Sequence, residues 1–157
     1  MENLIDKIDL EPIKFNLVSR EEGPGWTVKK TKLIEKWYRR FLLLVKMYPD
    51  KTIVPTKDID TFWHYHIIDT RKYIDDCNKV FGKYFHHFPY FGSRGKADKA
   101  NFEKTFLAAQ ELFEVHFGEA PISAGIADCG GLCSEGEPTP YLNNQKISRP
   151  SLVKNEK

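Results

Sequence analysis

The side chains with the most chemistry to offer lie in two places. His64, His66, Cys77, His86 and His87 fall within the stretch Trp63–His87, and Cys129 and Cys133 flank a Gly-Gly-Leu further on. Imidazole and thiolate ligands suit zinc or iron rather than magnesium or calcium. An imidazole also gains and loses a proton near neutral pH, so these histidines are candidates for acid–base work as well.

Helical geometry sorts them. On a regular helix His64 and His66 project about 200° apart, so they cannot chelate one ion together. Asp60 and His64 at i,i+4, and His66 and Asp69 at i,i+3, are pairs that meet on one face. Either pair can bind a divalent metal or orient an imidazole, and either can equally be a structural hydrogen bond. His66 and Cys77 share a face but stand roughly 16 Å apart along a straight helix. Cys77 must therefore find partners elsewhere. It lies near a helix end, and the chain reverses after Gly82, which can return His86 or His87 to it. With the two later cysteines this gives a set of four, Cys77, His87 (or His86), Cys129 and Cys133, suited to a closed tetrahedral zinc site.

Blander readings stand beside that one. A single cysteine on an apolar helix face is most often a small core residue. The C-x-x-x-C spacing is less specific than a pair of C-x-x-C knuckles. Cys129 and Cys133 could also close a reversible disulfide, but they lack the spacing and helix N-terminus that depress a redox thiol's pKa. No G-x-S-x-G, P-loop, G-x-G-x-x-G or H-E-x-x-H accompanies the histidines, so hydrolase, kinase and nicotinamide chemistry have no positive support.

The elements that must position these residues read as helices. Residues 2–18 carry Leu4, Ile5, Ile8, Ile13, Leu17 and Val18, interrupted by Pro12, which predicts two short helical pieces. Gly23-Pro24-Gly25 marks a loop. A helix over 28–48 places Leu33, Trp37, Phe41, Leu44 and Tyr48 on one face, with basic residues on the rest. Thr56 is a good N-cap for a third helix reaching about Phe81, where Gly82 is a natural stop. Its apolar stripe is Ile59, Phe62/Trp63, His66/Ile67, Thr70, Tyr73/Ile74, Cys77 and Val80/Phe81. An aromatic loop follows, Tyr84–Gly92. A fourth helix runs from about Lys96 to Phe117 with Phe102, Phe106, Ala109 and Phe113 inward, and Gly118 closes it. From Glu119 onward periodicity is lost, so 119–157 reads as an irregular Cys-bearing tail after a helical domain at 1–118.

Composition sets the class. The 157 residues fit one domain, with 41% apolar and 29% charged residues, as in ordinary globular proteins. A net charge of +2 gives no general pull toward nucleic acid or an anionic membrane. The longest apolar run, Phe41–Val45, cannot span a bilayer. The acidic start Met1–Asp6 lacks the layout of a secretory signal, and three cysteines in a reducing compartment read as thiols, ligands or redox groups, so a cytoplasmic protein is expected.

The run Asp60-Thr61-Phe62-Trp63-His64-Tyr65-His66-Ile67, followed by Tyr73, Asp76-Cys77, Gly82 and His87, resembles the glycine-rich domain-containing protein-like family of bacteria and plants. The likeness covers about residues 33–118. No counterpart of the long glycine-rich extension of the plant proteins is expected, with only Gly130-Gly131 similar to it. The resemblance implies that His64, His66, Tyr73, Cys77 and His87 are the positions that matter, and it implies no reaction.

The expectation is thus an all-α domain, a small bundle of three long helices with short N-terminal ones. Its leading function is binding zinc or iron, as a small metalloenzyme or as a partner in a modification pathway. The rivals are a non-catalytic module that binds a protein or peptide, with structural His and Cys, and, more weakly, a thiol-redox protein. Neither a nucleic-acid nor a membrane partner is expected.

Overall fold

The computed structural model describes residues 3–121. Five helices follow one another there: α1 (Glu11–Val18), α2 (Val28–Met47), α3 (Lys57–Ile68), α4 (Thr70–Phe81) and α5 (Lys96–Phe117). No strand occurs among the described residues, so the all-α expectation holds. None of these helices is long and apolar enough to cross a membrane. The stretch expected to form the Cys-bearing tail lies almost wholly outside the described residues, as do Cys129 and Cys133.

Only one helix forms in the N-terminal segment, where two were expected. Residues 4–7 make a turn, and Pro12 opens α1 instead of interrupting it. A proline suits the first helical turn because its missing N–H would have no partner there and its φ is already helical. The turn is pinned from outside. The Arg39 guanidinium on α2 donates to the carbonyls of Ile5 and Ile8, and both isoleucines are buried.

Thr27 caps α2 by accepting a hydrogen bond from the Lys30 amide. The buried face of α2 is Thr31, Ile34, Trp37, Tyr38, Phe41, Leu42 and Leu44. Leu33, expected inward, is 53% exposed, so the face is turned slightly from the predicted one. α2 packs on α1, α3 and α5, and α3 touches α1, α2 and α4, so the α2–α3 pair forms the centre of the fold.

The long third helix is in fact two. At Asp69 the backbone leaves helical geometry (φ −78°, ψ 75°), and the Asp69 side chain accepts from the Lys72 amide to start α4. A straight helix would place residues ten apart about 15 Å from each other along the axis. Here the Trp63 indole N–H donates to the Tyr73 hydroxyl at 2.8 Å, and His66 Nε2 lies 3.1 Å from Asp76 Oδ2. The break folds α4 back on α3, so both halves of one apolar stripe face the same core. It also removes the axial separation expected between His66 and the Cys77 region.

Gly82 ends α4 in the left-handed conformation (φ 70°), and Gly118 ends α5 likewise (φ 72°), as the sequence predicts. The loop between α4 and α5 turns again at Gly92 (φ 89°), where an added Cβ would sit 3.1 Å from Phe102 Cγ. Gly92→Ala should therefore combine an unfavourable φ with a tight contact on the Phe102 ring and cost about 1–3 kcal/mol. A urea unfolding curve with a lower midpoint and an unchanged slope is the expected result.

Candidate metal centre

Three side chains from two separate parts of the chain meet at one edge of α3. Asp60 and His64 stand one turn apart on that helix. His87 comes from the aromatic loop after α4. His87 Nε2 lies 2.9 Å from His64 Nε2 and 3.2 Å from Asp60 Oδ1. His64 Nδ1 is 3.7 Å from Asp60 Oδ2. Among the described residues these three form the group able to offer converging ligand atoms to one metal ion, all within 4.8 Å of one another.

The spacing fits a coordination sphere. Zinc–ligand bonds of about 2.0–2.1 Å put neighbouring ligand atoms about 2.8–3.4 Å apart for angles between 90° and tetrahedral. The two shorter contacts, 2.9 and 3.2 Å, fall in that range. The adjustment still needed falls on His64, whose side chain is 42% exposed against 10% for His87 and 12% for Asp60. One ring-proton assignment satisfies the group without an ion: His87 Nε2–H donates to the Asp60 carboxylate and faces the Nε2 lone pair of His64. That proton occupies the place a metal ion would take.

Local electrostatics favour the metal-competent form of His64. Burial holds its pKa below the usual 6.5; the Asp60 carboxylate opposes the shift, while His87 adds to it. The ring is therefore neutral at pH 7, with a lone pair to offer.

The His87 ring is set by aromatic packing. It meets the Trp63 ring edge to face at 4.7 Å, and the His64 ring at 4.6 Å. His86, its neighbour, is exposed and packs on Tyr84 instead. The different contacts of the two rings separate the two histidines that the sequence leaves interchangeable.

His66 has a different fate. It is 1% exposed and bridges Tyr38 Oη (2.8 Å from Nδ1) and Asp76 Oδ2 (3.1 Å from Nε2). Lys72 Nζ, 2.8 Å from the same Asp76 oxygen, completes the network. The expected His66–Asp69 pair does not form, because the helix break commits Asp69 to the N-terminus of α4. Burial keeps His66 below its usual pKa, with Asp76 opposing the shift. His66 is thus a satisfied core histidine. Its partners Tyr38 and Asp76 were missed by sequence reasoning; a buried-face aspartate one turn after Lys72 was the available signal.

Of the expected four-ligand set, Cys129 and Cys133 lie outside the described residues. Cys77 is a free thiol, 3% exposed in the core. Burial pushes its pKa up, and its hydrogen bonds with the Phe85 backbone and the Tyr73 hydroxyl offset only part of that. His87 directs its ring to Asp60 and His64. Tyr73 is buried, accepts from Trp63 and donates to the Phe85 carbonyl at 2.6 Å.

Comparison with known proteins places this chain in a family. The model of the UCP032817-like family matches residues 1–111. Glycine-rich domain-containing protein 1 of Arabidopsis thaliana is 35% identical over 89 residues, covering 53% of this chain and 11% of that protein. Glycine-rich domain-containing protein 2 of the same plant is 31% identical over 115 residues, covering 71% of this chain and 14% of that protein. The chain thus spans only a small part of the length of these relatives. No solved structure matches it. With the match extending over most of the chain and taking in Asp60, His64 and His87, the protein belongs to the UCP032817-like family, of the glycine-rich domain-containing protein-like type.

Proposed function

We propose that this domain binds one divalent transition-metal ion through Asp60, His64 and His87. The observation that carries the reading is the position of His87 Nε2, within 3.2 Å of both an α3 imidazole and an α3 carboxylate. Two imidazoles and a carboxylate favour zinc or iron(II) over magnesium or calcium. Three protein ligands leave coordination positions open for water or substrate, as in catalytic rather than closed structural sites. The 42% exposure of the His64 side chain puts that open side toward solvent. A small metalloenzyme is therefore the reading we favour, with a metal-dependent partner protein as its non-catalytic counterpart.

Metal content of tag-free protein, measured by mass spectrometry, and calorimetric titration with zinc and iron(II) test it. About one equivalent bound supports the site. No bound metal and no titration heat would leave a non-catalytic interaction module, with the three residues as a largely buried hydrogen-bond group open to solvent at His64.

Metal binding also carries a pH signature. Because burial lowers the His64 pKa, protons should not compete for this ligand at or above its usual value of 6.5. Affinity should therefore be level above about pH 6.5, so far as His64 sets it, and fall at lower pH as the ring protonates. Affinity that instead rises steadily between pH 7 and 9 would point to a thiol ligand, since burial has raised the Cys77 pKa.

A further inference from the structure

The α3 ligands are fixed by a regular helix, but His87 arrives on a loop, and something must hold it in register. Two residues before it, Phe85 is gripped from several sides. Its ring stacks on Trp63 at 4.8 Å, nearly parallel at 11°. Its carbonyl accepts the Tyr73 hydroxyl proton at 2.6 Å. Tyr73 in turn accepts from the Trp63 indole N–H at 2.8 Å. Cys77 hydrogen-bonds with the Phe85 backbone. Trp63 precedes His64 in the chain and packs edge to face on His87.

We propose that Tyr73 is a positioning residue: by tying the Phe85 carbonyl to Trp63 it holds His87 against Asp60 and His64 before any ion arrives. Tyr73 touches none of the three ligands, so it acts through Phe85 and Trp63. The consequence for metal affinity rests on the metal-binding reading above; the consequence for His87 does not. A preorganised ligand costs less ordering when the ion binds, and outer-sphere partners of metal ligands typically change affinity by about 10–100-fold. The same arrangement gives Cys77 a role as part of the grip on Phe85, with no ligand duty required of it.

The test compares the full chain with Tyr73→Phe, which keeps the ring and removes the hydroxyl. Phe113→Leu, a core change on α5, serves as a control for general loss of stability. Two measurements are made on each: the nuclear Overhauser contact between the Trp63 and His87 rings in metal-free protein, and Co2+ affinity by absorption titration. Tyr73→Phe should weaken or abolish the ring contact and lower Co2+ affinity about 10–100-fold, and Phe113→Leu should change neither. If Tyr73→Phe does not fold, Phe85→Leu removes the stack on Trp63 and should act in the same direction. An unchanged ring contact and affinity in the variant overturn the proposal, as does an equal loss of affinity in Phe113→Leu. If the wild-type chain binds no Co2+, the metal-binding reading fails, and the ring contact alone decides the role of Tyr73: its loss supports positioning and its retention overturns it.

Discussion

His87→Ala should lose metal affinity by at least about 100-fold, more than outer-sphere changes usually cost, while the protein stays folded. The ring is one of three ligands in the proposed site, and nothing else in the loop can replace it: His86 faces the other way, against Tyr84. The stability cost should be about 1–3 kcal/mol, because the variant loses a largely buried hydrogen-bond group and an edge contact with Trp63. Asp60→Asn should behave similarly, since it keeps the shape and removes the anionic ligand. Cys77→Ser is the counterpart that separates the two ligand sets. It should leave affinity within a few-fold of wild type if Asp60, His64 and His87 hold the ion. Abolished binding in Cys77→Ser, with binding retained in His64→Ala, would transfer the site to Cys77, His87, Cys129 and Cys133.

The largest loss of stability is expected from the other histidine of the Trp-His-Tyr-His run. His66→Ala should destabilise the fold by about 3–5 kcal/mol: it opens a core cavity and strips a partner from both the Tyr38 hydroxyl and the buried Asp76 carboxylate. His64→Ala, at a half-exposed position, should cost less than about 1 kcal/mol. Urea unfolding of the two variants side by side measures the contrast, and equal losses would contradict the division of the two histidines into a ligand and a core residue. His66 also gives stability a pH dependence. Its folded-state pKa lies below the usual 6.5, so the unfolded chain binds the extra proton first as pH falls. The stability it contributes is complete above about pH 6.5 and is lost as pH drops through the depressed value. That part of the acid sensitivity should be missing from His66→Ala.

The sequence by itself determined the helical class, the span of α5, and the helix stops at Gly82 and Gly118. These signals are local: a 3.6-residue apolar period, and a glycine that adopts positive φ where other residues are strained. It also marked the segment that carries the site, because Asp60 and His64 one turn apart must share a helix face. Tertiary structure decided the rest. The apolar stripe from Ile59 to Phe81 runs unbroken past Asp69, so periodicity alone predicts one helix. The break appears only because folding α4 back lets Trp63 meet Tyr73 and His66 meet Asp76 in a single core. That same packing sorted two histidines of identical type, burying His66 and leaving His64 at the surface. The third residue of the proposed site, His87, was among those named from the sequence but was paired with Cys77, since a residue that arrives on a loop 23 positions after His64 carries no local sign of its partner. Its place follows from the path of the chain after Gly82, which the grip on Phe85 sets, and contacts of that kind are fixed by packing energy between distant elements rather than by any short pattern of residues.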